Sequence, residues 1–132
     1  MTLVTCGHDR FMRVWDLRKL GSPVRTVGGH SHWVTCARYN PFHDQLVLTG
    51  GSDHSVNLWR IASCSSSPWV GSPENEDDDP ADVRVRSIDQ HEDSVYAVAW
   101  SAVDAWSFGS LSFDGRVAVN QVPTTEKYKI LL

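Results

Sequence analysis

The sequence predicts an all-β fold in which one small antiparallel sheet recurs along the chain. Three observations carry that prediction. Three segments align with one another: LVTCGHDRFMRVWDLR at 3–18, LVLTGGSDHSVNLWRI at 46–61 and SFGSLSFDGRVAVNQV at 107–122. Each alternates small or apolar with polar residues, breaks at a polar turn and alternates again, as two antiparallel strands around a tight turn do. Six tryptophans in 132 residues supply large anchors at recurring places, since indole buries more area than any other side chain.

The elements follow in order. Segment 3–18 forms the first pair of strands, and 24–27 reads as its outer strand. WVTCARY at 33–39 adds a strand before the second pair, with 83–88 as the outer strand of that sheet. SVYAVAW at 95–100 precedes the third pair, whose turn, Asp114-Gly115, is the strongest turn signal because glycine accepts positive φ. Segment 127–131 reads as the last outer strand. The count is about eleven strands and no convincing helix.

The repeats share a spacing as well as a period. A hydroxyl stands four residues before an Asp, and an anchor six after it: Thr5/Asp9/Trp15, Thr49/Asp53/Trp59 and Ser110/Asp114/Asn120. The second and third sets carry a His 23 residues before the Asp, His30 and His91; its counterpart in the first set would precede residue 1. With Gly29-His30 and Trp15-Asp16, this spacing resembles the WD-repeat (WD40) family, whose fold is a β-propeller of four-stranded blades. Two departures stand out: Trp59 is followed by Arg60, and Asn120-Gln121 replaces Trp-Asp.

The resemblance implies a propeller fragment of about two and three-quarter blades. Residues 1–28 form a partial blade without its first strand. Residues 29–90 form a blade with an acidic, disordered insertion at 62–82, and 91–132 the C-terminal blade. A ring needs roughly 4–8 blades. The expectation is therefore the C-terminal part of a longer propeller or a short product, with self-association through the open blade faces as the alternative.

Composition narrows the function. A net charge of −4 without a Lys/Arg cluster argues against nucleic acid and anionic membrane, which call for a basic patch. No apolar run of about 18 residues marks a membrane span, and no basic-then-apolar leader marks secretion. Three cysteines without CxxC spacing fit buried thiols in a reducing, cytoplasmic setting. Six histidines without HExxH or Cys/His pairing give no metal site, and no cofactor is expected.

His30, Thr49 and Asp53 have the composition of a nucleophile relay. The set recurs, however, and a catalytic site is not normally built once per repeat. The expectation is a structural network of Thr5, Asp9, Trp15, His30, Thr49, Asp53, Trp59, His91, Ser110 and Asp114, without enzyme activity. Turn residues that the repeat does not require (His8, Arg10, Arg13, Arg18, His32, Trp33, His54, Trp106, Phe113) are candidates for protein binding, with packing between blades an equal expectation for Trp33 and Trp106. The segment 63–82 reads as a solvated insertion, or as an acidic docking segment tuned at Ser67 or Ser72 and anchored by Trp69.

Two finer resemblances point to partners. Trp15-Asp16-Leu17-Arg18 resembles the motif by which substrate receptors engage cullin-type ubiquitin ligases. Residues 90–96 (QHEDSVY), 112–116 (SFDGR) and 127–132 (KYKILL) resemble the C-terminal end of the EARP- and GARP-interacting WD-repeat proteins. The second implies a non-catalytic scaffold that binds multisubunit vesicle-tethering complexes in endosome recycling and cargo sorting, peripheral at the trans-Golgi network or endosomes.

Overall fold

A computed structural model of the chain describes residues 2–64 and 82–131. Three antiparallel sheets stand face to face. The first has the order β1 (Thr2–Cys6), β2 (Met12–Asp16), β3 (Arg25–Val27). The second runs β4 (Val34–Tyr39), β5 (Leu46–Gly51), β6 (Val56–Ile61), β7 (Asp82–Ile88). The third comprises β8 (Val95–Trp100), β9 (Ser107–Ser112) and β10 (Val117–Gln121), followed by helix α1 (Thr124–Leu131). The registers match the internal repeat: Thr5 faces Arg13, Thr49 faces Asn57 and Ser110 faces Ala118.

The middle sheet explains the alternation of its sequence. Every residue of β5 and β6 is buried, because both faces are covered. Leu46, Leu48, Val56 and Leu58 point toward the third sheet, packing with Val95, Val98 and Phe108. Val47, Trp59 and Ile61 point the other way, onto Met12 and Val14 of the first sheet. Strand periodicity sends successive side chains to opposite faces, so one apolar run feeds two interfaces. The register shifts at Val34/Cys36 in β4 and at Val95/Ala97 in β8. These matching bulges re-aim one residue of each strand, and Tyr96 is thereby turned to solvent.

One expectation is corrected. Segment 127–131 is not an outer strand: it belongs to α1, and the reading of a chain without helix fails with it. The alternation in Lys127-Tyr128-Lys129-Ile130 resembles a strand, but Pro123 starts a turn, its carbonyl accepting the Glu126 and Lys127 N–H groups. Helical spacing then sets Glu126 and Ile130 on one face. Ile130 packs on the core, and the buried Glu126 carboxylate meets Arg60 at 2.8 and 2.9 Å. The insertion lies outside the described residues except at its ends. There Ala62–Cys64 form a 3₁₀ turn, and Asp82 accepts the Ser63 N–H at 3.0 Å and pairs with Arg25 at 2.6 Å. Ser67, Trp69 and Ser72 lie outside it too.

Candidate interaction rim and the polar sets behind it

In the middle sheet the repeated residues meet. His30 Nδ1 lies 3.0 and 3.1 Å from the two Asp53 carboxylate oxygens, and Nε2 lies 2.7 Å from Thr49 Oγ1. The Trp59 indole N–H donates to the same Thr49 oxygen at 2.9 Å. A carboxylate only accepts, so the imidazole proton belongs on Nδ1; Thr49 then donates to Nε2 while accepting from the indole. Asp53 also accepts the Ser31 N–H at 2.9 Å and the Ser55 hydroxyl at 2.7 Å. Burial pushes the Asp53 carboxyl upward, but the bonds from Ser55, His30 and Ser31 outweigh it and leave it below 3.8. Thr49 is wholly buried, and its hydroxyl, engaged on both sides, has no open approach for a substrate.

The other two sets are incomplete variants. In the third sheet His91 Nε2 bonds Ser110 at 2.8 Å, while Nδ1 stands 3.5 Å from Asp114 without a hydrogen bond. Asp114 instead accepts the Glu92 and Arg116 N–H groups, each at 2.9 Å. Asn120 does not reach Ser110; it donates to Gln90 at 3.2 Å. In the first sheet Trp15 donates to Thr5 at 2.8 Å, and Asp9 pairs with Arg13 at 2.6 Å.

The turns that hold these aspartates and the loops that hold the histidines lie at one end of the sheets, tied together by the Ser31 and Glu92 bonds above. Trp33 sits between the first two turns: its carbonyl accepts the Ser52 N–H at 2.8 Å, and the next N–H, of Val34, donates to Gly7 at 3.0 Å. Its half-exposed ring stacks on His8 (centroids 4.3 Å apart) and lies 5.2 Å from His32. Phe113 and Tyr96 form a second exposed pair at 4.7 Å. Arg10 and His54 are exposed on the turns. Trp106 is elsewhere, stacked on His43 at 4.8 Å beneath Lys127. Arg18 is exposed but folds back on Asp16, Nε and Nη2 each 3.2 Å from a carboxylate oxygen. Arg18 in turn holds the Asp16 carboxyl at about 2. The spacing did not single out Tyr96, Arg60 or Glu126; of these only Arg60, in place of the Asp of Trp-Asp, carried a signal.

Residues 1–59 match the model described as EIPR1 beta-propeller, and residues 82–119 the one described as WD domain, G-beta repeat. The chain belongs to the WD-repeat β-propeller family. It is 46% identical over 98% of its length to EARP and GARP complex-interacting protein 1 of Homo sapiens. It is 45% identical over 98% to EARP-interacting protein 1 of Caenorhabditis elegans, and 38% identical over 91% to WD repeat-containing protein DWA2 of Arabidopsis thaliana. The chain spans 37%, 38% and 34% of those proteins, about a third of each.

The WD-repeat pattern now has a physical reason at Gly29-His30. Gly29 has φ +146, and a Cβ there would lie 2.5 Å from the Trp59 ring. Any other residue would push the indole off Thr49. Among the described residues no helix is long and apolar enough to cross a membrane.

Proposed function

We propose that this chain is a non-catalytic WD-repeat scaffold that binds multisubunit vesicle-tethering complexes of the EARP and GARP type, serving endosome recycling and cargo sorting. The observation that carries this reading is 46% identity over 98% of the chain to a protein named for interacting with those complexes. The geometry supports it from two sides. The His30–Thr49–Asp53–Trp59 set is closed on itself and buried, and acts as a brace between strand, turn and loop. The exposed aromatic and cationic residues gather on the turn rim, where Trp33, Phe113 and Arg10 are suited to be interface anchors. For the alternative reading of Trp15-Asp16-Leu17-Arg18 as a ubiquitin-ligase motif, Arg18 would have to exchange its exposed, solvent-screened pair with Asp16 for a partner's carboxylate.

Affinity purification of the tagged chain from cells, with quantitative mass spectrometry of tethering subunits, tests the proposal. Enrichment of those subunits over a scrambled-tag control is expected. Recovery of a ligase adaptor without them, abolished by Arg18→Ala, would overturn it in favour of the receptor reading.

A further inference from the structure

We infer that the rim of the first two sheets receives an acidic peptide segment carrying an aromatic side chain, with Arg10 and His54 facing its carboxylates and Trp33 its ring. The inference rests on the scaffold reading and specifies the chemistry of the partner.

The first support is backbone geometry. The residue after the repeat aspartate is left-handed in all three turns: Arg10 at φ 72, His54 at φ 70 and Gly115 at φ 80. Glycine takes that conformation freely, whereas a residue with a Cβ is strained there. The third turn shows that the fold asks only for a left-handed residue, so the side chains at the first two are held against local preference. Strain of this kind concentrates at ligand clamps.

The second support is charge. The aspartates beside these residues are already used: Asp9 pairs with Arg13 at 2.6 Å, and Asp53 is bound by His30, Ser31 and Ser55. Among the described residues the side chains of Arg10 and His54 have no hydrogen-bond or ion-pair partner. The Arg10 guanidinium therefore presents an open fork suited to a carboxylate. The third support is Trp33, 47% exposed with both neighbouring imidazoles gathered round it. Its backbone is fixed to both turns by the Ser52 and Val34 bonds, so the ring is a rigid platform between the Arg10 guanidinium and the His54 imidazole, an N–H donor to a carboxylate. The rim of the third sheet carries exposed Glu92 and Asp93, and its Arg116 already faces Glu92 at 3.7 Å, so it offers the same segment no open cationic fork. That confines the footprint to the first two sheets.

The test uses the full chain and two labelled pentapeptides, Asp-Glu-Phe-Glu-Asp and its amide counterpart Asn-Gln-Phe-Gln-Asn, in fluorescence anisotropy. The acidic peptide is expected to bind at least about tenfold tighter, as a charge-assisted contact requires. The double variant Arg10→Gly/His54→Gly should lose that preference while its thermal midpoint stays within about 2 °C, because relief of strain offsets the added chain entropy. Arg10→Gln, which keeps the strained backbone, should lose it too, and Trp33→Ala should weaken both peptides alike. Equal binding of the two peptides, no binding, or an unaltered preference in Arg10→Gln would overturn the inference. Capture of tethering subunits by the wild-type chain reports separately on the scaffold reading, and can stand when the peptide result fails.

Discussion

Thr49 and Ser110 occupy the same place in two sheets, yet they carry different loads. Thr49 satisfies an indole and an imidazole at once, whereas Ser110 has only His91. Thr49→Ala would leave the Trp59 N–H buried without its partner and His30 Nε2 with only the longer contact to the Asn57 amide at 3.2 Å, a loss of about 2 kcal/mol, while Ser110→Ala should cost about 1 kcal/mol. Urea unfolding of the two variants checks the ratio. The paired aspartates give a pH dependence. Asp53 and Asp114 titrate below 3.8 in the fold, so their stabilisation is complete above that value and is lost as pH falls through the lowered folded values. Thermal midpoints should therefore drop steeply below about pH 4, and Asp53→Asn should flatten that drop. The spacing of hydroxyl, Asp, His and Trp was legible at this scale because each contact is made across a fixed register. What spacing could not reveal is that His91 fails to bond Asp114, since a difference of a few tenths of an ångström leaves no trace in residue order.

Among the elements, ten strands were legible from alternation and turn chemistry, and the last was not. Alternating charge and aromatic residues in Lys127-Tyr128-Lys129 imitate a strand, but a long-range contact decides the conformation. Glu126 must reach Arg60, which is 1% exposed in the middle sheet, and local propensity yields to that pairing. Removing one partner of a buried ion pair typically costs about 3–5 kcal/mol. Glu126→Ala should therefore strip hydrogen-exchange protection from α1 and the C-terminal end of β6 around Arg60 while leaving β1–β3 protected. Uniform loss of protection, or none, would show that the pair does not fasten the helix.

For the whole molecule, the repeat made the stack of sheets legible, and the double-faced burial of β5 and β6 follows from it. The surfaces left open were less so. Val117 and Val119 on β10 are 67% and 73% exposed, beside a hollow of about 330 Å³ lined by Trp100, Phe108 and Gly109. Among the described residues no strand pairs with the second edge of β10. An apolar edge of this kind templates association. Light scattering should show mass rising with concentration, and Val119→Lys should return the chain to a monomer. The scaffold proposal has this chain bind a tethering complex through its folded sheets. Interferometry with a purified tethering complex over immobilised, folded wild-type chain addresses it most directly. Saturable binding that survives Arg18→Ala and vanishes in an unfolded control is the predicted result. A folded chain that leaves the complex unbound at every concentration would contradict it.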